Sequence, residues 1–181
     1  MTRRKLLFSS ALGIVVAMLE SFAGQQLALA IGPDQEHAEL ANALSGVKVS
    51  LQQGFTASER EGQPISGKFE VENGKLQLSV YTAKEGKFFE VIVDHMTGSV
   101  AKVEPITEGE DLTHAKAQKA AMDRAKVKLA DAATKAKGQA KGEAGDVLVV
   151  SVVPELKNDR PEAAIVLLQG KKFSTVSERL D

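Results

Sequence analysis

The densest short run of reactive side chains in this chain is EVIVDHMTGSV, residues 90–100, which holds Asp94, His95 and Thr97 within four positions. A carboxylate, an imidazole and a hydroxyl so close together are the parts of a metal site or of a general acid–base pair. Such a site needs convergent partners. The other histidines, His37 and His114, fall in polar stretches of helical or pre-helical character, and the spacing of the three matches no zinc motif. A turn accounts for the same residues: Asp94 and Thr97 can bond local backbone, and Gly98 supplies the left-handed conformation that closes it. Residues 94–98 are therefore expected to form a turn between two strands, with a metal-handling protein as the weakest alternative. No catalytic residue, cofactor or metal ligand is assigned.

Other chemistry is scarce. The chain has no cysteine, so thiolate ligands, disulfides and a lipid anchor on an N-terminal Cys are all excluded. It contains no Gly-x-Ser-x-Gly elbow, no Gly-x-Gly-x-x-Gly and no Walker pattern. The carboxylates of Glu59 and Glu61, and of Glu108, Glu110 and Asp111, stand in polar helix or linker positions where solvated charge is the default. The expectation is a protein that is not an enzyme. With no Trp, one Tyr and a formal net charge of -1, it also lacks both the stacking platform and the positive field that nucleic acid requires.

The 181 residues, 43% of them apolar, suffice for one core or two small ones. Residues 1–30 have the order of a secretory signal peptide: Arg3, Arg4 and Lys5, an apolar stretch from Leu6 to Leu19, and Ala28-Leu29-Ala30 before the expected cleavage. Ser9, Ser10, Gly13 and Glu20 leave the apolar stretch short of the roughly 20 residues of a spanning helix. The mature chain is thus expected in the periplasm or outside the cell, with no stable membrane anchor. Thr2-Arg3-Arg4-Lys5-Leu6-Leu7 also resembles a twin-arginine signal, so both export routes stay open.

In the mature chain a short helix is expected over 35–44, opened by Asp34 as cap and closed at Ser45-Gly46. Val47-Lys48-Val49 is β-prone, and Ser50 stands as N-cap before a second helix from Leu51 to Glu61. Leu51, Phe55 and Ser58 share one face of it, with Gly54 and Ala57 allowing close approach to a sheet. From Ile65 the period becomes two. Ile65, Gly67, Phe69 and Val71 alternate with Ser66, Lys68 and Glu70, and Asn73-Gly74 fits a type I′ hairpin to a strand carrying Leu76, Leu78 and Val80. A turn at Lys84-Glu85-Gly86 leads to a third strand, 87–94, and a fourth follows over 99–105.

The order helix, strand, hairpin, strand, then V-x-V-D-x-x-T-G-x-V resembles the PepSY domain, a small secreted module of peptidase propeptides and free-standing envelope proteins. Val91, Val93, Asp94, Thr97, Gly98 and Val100 carry the resemblance, together with the Glu72-Asn73-Gly74-Lys75 hairpin and the strand start at Gly86-Lys87-Phe88-Phe89-Glu90. His95 and Met96 depart from the small or polar residues usual in the family. The resemblance implies a PepSY-like domain over 34–106 and a partner that is a peptidase or another envelope protein.

Past a linker at 107–110, an Ala- and Lys-rich stretch from Asp111 to about Lys137 is expected as one long helix, since Ala115, Met122, Leu129 and Ala136 recur every seven residues. Gly138 to Gly145 should break it. Val147 to Val153 reads as a strand buried on both faces or at an interface, and two further strands follow around turns at 157–160 and 169–171. Residues 111–181 thus repeat the first half in outline, as a degenerate second PepSY-like unit. The expected fold is α+β, antiparallel sheets each covered by a helix, in two related units. The expected function is an exported, non-catalytic PepSY-like binding module that binds or inhibits an envelope peptidase by offering its sheet or a strand edge. The alternative is a structural or assembly protein, a homo-oligomer that dimerises through the C-terminal sheet around Val147 to Val153.

Overall fold

The structure is a computed structural model and describes residues 33–140 and 146–181. The expected leader, residues 1–30, lies outside the described residues. The described residues form one compact unit. In chain order it contains α1 (Pro33–Leu44), α2 (Leu51–Ser58) prolonged by a short 3-10 turn at Glu59–Glu61, and strands β1 (Gln63–Glu72), β2 (Lys75–Lys84), β3 (Lys87–Val93) and β4 (Val100–Ile106). Then come α3 (Gly109–Met122), α4 (Leu129–Gln139), β5 (Val147–Lys157), β6 (Arg160–Gln169) and β7 (Lys172–Arg179). The fold is α+β. Its strands make a single antiparallel sheet in the order β4-β3-β2-β1-β5-β6-β7, where separate sheets were expected. The join is short: Gly67 pairs with Val152 and Lys68 with Ser151. Pairing β1 with β5 removes the two strand edges that separate sheets would have exposed.

The centre of this sheet is set by α2. Ser50 caps it in a full capping box, its hydroxyl accepting from the Gln53 amide while the Gln53 side chain accepts from the Ser50 amide. Leu51, Gly54, Phe55 and Ser58 are buried along one face, as their spacing predicts. Small residues decide how close the helix lies. A Cβ added at Gly67 would stand 2.7 Å from Phe55 Cε1, and one at Gly54 would stand 3.0 Å from Leu78 Cδ2. Gly67 and Leu78 therefore mark the helix face of the sheet. The Lys135 to Glu178 ion pair, 2.6 Å, holds α4 on this same face.

Alternation puts Ser66 and Lys68 on the opposite face, and two helices reach round to it. Ser66 donates to Gln118 of α3 at 2.7 Å, and the ring of His37 in α1 stacks on Phe173 of β7 at 4.8 Å. No helix among the described residues is long and apolar enough to cross a membrane.

Several local expectations are revised. The first helix begins at Pro33, which places Asp34 inside its first turn rather than before it. Val47 to Val49 is not a strand; the amides of Lys48 and Val49 both donate to the His95 carbonyl at 3.1 Å, which ties down the connection between α1 and α2. The long Ala-rich helix is two helices, because the amides of Lys126 and Val127 bond the Leu180 carbonyl instead of continuing the helix. No Pro or Gly announces that break. Gly138 and Gln139 are still helical, Ala140 caps the helix, and residues 141–145 of the expected breaker segment lie outside the described residues. Val150 and Val152, 3% and 0% exposed, are buried within the chain's own sheet.

The two halves correspond closely when Gly67 is laid on Val152. At that one offset both ends of β2, Lys75 and Lys84, fall on both ends of β6, Arg160 and Gln169. The start of β3 at Lys87 falls on the start of β7 at Lys172, and the bulge residue Ile65 of β1 falls on the bulge residue Val150 of β5. Just as Lys48 and Val49 bond the His95 carbonyl, Lys126 and Val127 bond the Leu180 carbonyl, and His95 falls on Leu180 by the same offset. Gly67 and Val152 also face one another across the join, so the correspondence turns about that pair.

Close contact at Gly67 is the feature most sensitive to substitution. Gly67→Ala is expected to cost about 1–3 kcal/mol in urea unfolding, the range for overpacking. Adding Phe55→Leu should recover part of that loss, by about 0.5 kcal/mol or more of coupling.

Candidate functional site

The run 94–98 is a turn. Asp94 Oδ1 accepts from the amides of Met96 and Thr97, both at 2.8 Å, the Gly98 amide bonds the Asp94 carbonyl, and Gly98 takes φ 78°. Those two amides hold the Asp94 carboxyl below its ordinary value. The turn also has a tertiary task, since its His95 carbonyl anchors the chain entering α2. His95 lines a shallow depression of about 560 Å³, with Glu72, Gln77, Ile92 and Met96 around it, and its Nδ1 is buried without a hydrogen-bond partner among the described residues.

The remaining residues singled out by type do not converge on this turn. His37 lies in α1 against Phe173, and His114 is exposed on α3. Glu59 pairs with Lys128 and Glu61 with Arg60, while Glu108, Glu110 and Asp111 sit at the start of α3. Among the described residues, no three His, Cys, Asp or Glu side chains gather as metal ligands.

The sheet face opposite α2 holds a different group, built by register alone. Across it run two rows of directly paired residues: Ser66, Tyr81, Glu90 and Glu104, and beside them Ser151, Lys68, Ser79, Ile92 and Lys102. Glu70 and Gln77 pair next to these. Lys68 Nζ stands 2.6 Å from Glu70 Oε2 and 5.9 Å from the Tyr81 ring centre. Ser79 donates to Glu70 Oε1 at 3.2 Å and accepts from Gln77 Nε2 at 2.9 Å. Gln77 and Ile92 are shared with the depression beside His95, so the group is continuous with that opening.

Electrostatically the group is strained toward negative charge. Lys68 is committed to Glu70, and Lys102 to Glu104 at 2.8 Å. Glu90 is left without an ion pair among the described residues. Burial raises its carboxyl above the ordinary 4.5, and the charges of Glu70 and Glu72 add to this, while the neighbouring Ser79 hydroxyl and the charge of Lys68 oppose it. Burial, then the carboxylates of Glu90, Glu70 and Asp111, push the Tyr81 phenol far above its usual range. Ser151, directly opposite Lys68, is 5% exposed and its hydroxyl has no partner among the described residues.

The second half shows what this fold position needs. At the offset that lays Gly67 on Val152, Lys68, Ser79, Tyr81 and Glu90 correspond to Val153, Ala164, Val166 and Thr175, while Glu70 keeps its type, as Glu155. Ser66 and Ser151 correspond as well. Among the helices, the interval that carries the start of α2 at Leu51 onto the start of α4 at Leu129 carries Leu40 onto Gln118. Gln118 satisfies Ser66, whereas the residue at the matching place in α1 is the apolar Leu40.

Sequence reasoning missed this group because Ser66, Lys68 and Glu70 read as the wet side of a half-buried strand. The available signal was that alternation itself, which already places the three on one face. Lys68 is instead only 14% exposed in its side chain. In comparisons with known proteins the chain matches no protein family, no curated protein and no solved structure.

Because the folded chain binds a proton at Glu90 more tightly than the unfolded chain does, ionising Glu90 lowers stability as pH rises through its raised pKa. Glu90→Gln should therefore unfold at a higher temperature than the parent at pH 7. That gap should close as pH falls below 4.5, and circular dichroism melts at both pH values check it.

Proposed function

We propose that this chain is a non-catalytic binding module of the cell envelope, and that the sheet face bearing Lys68, Glu70, Ser79, Tyr81 and Glu90 meets the partner. One observation carries the reading: the corresponding face of the second half does without the lysine, the tyrosine and the buried carboxylate. The fold position does not require them, and a half-buried carboxylate lacking its own counter-charge costs stability, a pattern expected where side chains serve binding rather than folding. The two halves are taken as related units of one PepSY-like design. The PepSY resemblance of residues 91–100 supports an envelope peptidase as partner, and the leader composition of residues 1–30 supports export.

Self-assembly is the second reading. β3 is paired on its outer side by β4, whereas the outer side of β7, the corresponding strand, is unpaired among the described residues. An unpaired edge can recruit a strand from another copy. This moves the self-assembly surface from Val147–Val153, which is internal, to Lys172–Arg179.

Photo-cross-linking separates the two readings. A benzoyl-phenylalanine at Tyr81 is expected to give a discrete adduct with another envelope protein, and one at exposed Thr56 on α2 to give none. Adducts confined to positions in β7, and with a second copy of the chain, would favour self-assembly instead.

A further inference from the structure

We infer that the partner presents a basic side chain, arginine or lysine, to the face group, and that Glu90 with the Tyr81 ring receives it. The inference rests on the proposed binding face and names the chemistry of its occupant. Charge complementarity is the first argument. Around Glu90 the lysines Lys68 and Lys102 are committed to Glu70 and Glu104, which leaves Glu90, a partly buried carboxylate, without an ion pair among the described residues. An incoming guanidinium or ammonium would supply the missing counter-charge in a site shielded from water, where such a pair gains most.

Tyr81 is the second argument, because a phenol ring beside a carboxylate offers a cation both a π face and a charge. The ring is Glu90's directly paired neighbour and already attracts Lys68 from 5.9 Å. Ser151 gives a displaced Lys68 a place to go. Its buried hydroxyl, without a partner among the described residues, lies on the same face directly opposite Lys68 and can accept a hydrogen bond from the ammonium when the occupant takes the Tyr81 ring. A metal ion is disfavoured as occupant, since no three ligating side chains gather among the described residues. An anion would meet Glu70, Glu72 and Glu90 together.

The test is a titration of the 15N-labelled chain with N-acetyl-argininamide, followed by amide chemical shifts, with N-acetyl-glutaminamide and N-acetyl-aspartamide as neutral and acidic controls. Saturable shifts at Ser79, Tyr81 and Glu90 with the arginine probe, weakened about tenfold in Glu90→Gln, are expected, a loss in line with one charge-assisted hydrogen bond. Because Glu90→Gln is expected to be the more stable protein, a lost response is not a lost fold. Equal shifts from the glutamine probe, or a response unchanged in Glu90→Gln, overturn the inference. If the acidic probe alone perturbs these amides, the basic occupant is wrong while the binding face stands. If no probe perturbs the face and Tyr81 also gives no cross-link, both fall.

Discussion

The structure depends on how closely α2 can lie on the sheet where β1 meets β5. Gly67 makes that approach possible: the space its missing Cβ would take is filled by Phe55 and Leu51, and the same residue pairs with Val152 across the join. A sheet built from two halves has few bonds at its seam, since only Gly67–Val152 and Lys68–Ser151 are paired there. The seam is therefore held by packing from above as much as by its own ladder. With α2 covering one side of Gly67, the neighbouring Ser66 and Lys68 must face the other way, which is how the polar group acquires its floor.

Much of this was legible in the chain because local signals were strong and agreed. Asn73-Gly74 takes positive φ at both residues, as a type I′ hairpin requires, and Ser50 caps α2 with the Gln53 side chain in return. The Asp94 turn followed from Asp, Thr and Gly in order. What escaped was tertiary. Nothing in Asp123 to Lys128 marks the end of α3, because the bonds that stop it come from Leu180 at the far end of the chain. The seven-residue recurrence of Ala115, Met122, Leu129 and Ala136 fitted one helix, yet the four residues are buried on two. Periodicity reports which residues face the core, not whether the backbone between them is continuous.

The face group was invisible for a related reason. Lys68, Ser79, Tyr81 and Glu90 come from three strands, and their meeting depends on register, which no single strand's composition reveals. Correspondence between the halves gives the group its meaning. The same scaffold position is filled by Val153, Ala164, Val166 and Thr175 in the second half without loss of the sheet. In the first half the position holds four polar side chains, two of them charged and Ser79 fully buried, where the second half holds three apolar ones and a threonine.

The central claim is that these polar side chains serve a partner and not the fold, and the most direct measurement gives the first half the second half's residues. Lys68→Val, Ser79→Ala, Tyr81→Val and Glu90→Thr would be combined in one chain, with Glu70 left to match Glu155. The account predicts an unfolding free energy in urea at least equal to the parent's, together with loss of partner capture. A chain that unfolds more readily than the parent, or one that still captures the partner, would contradict it.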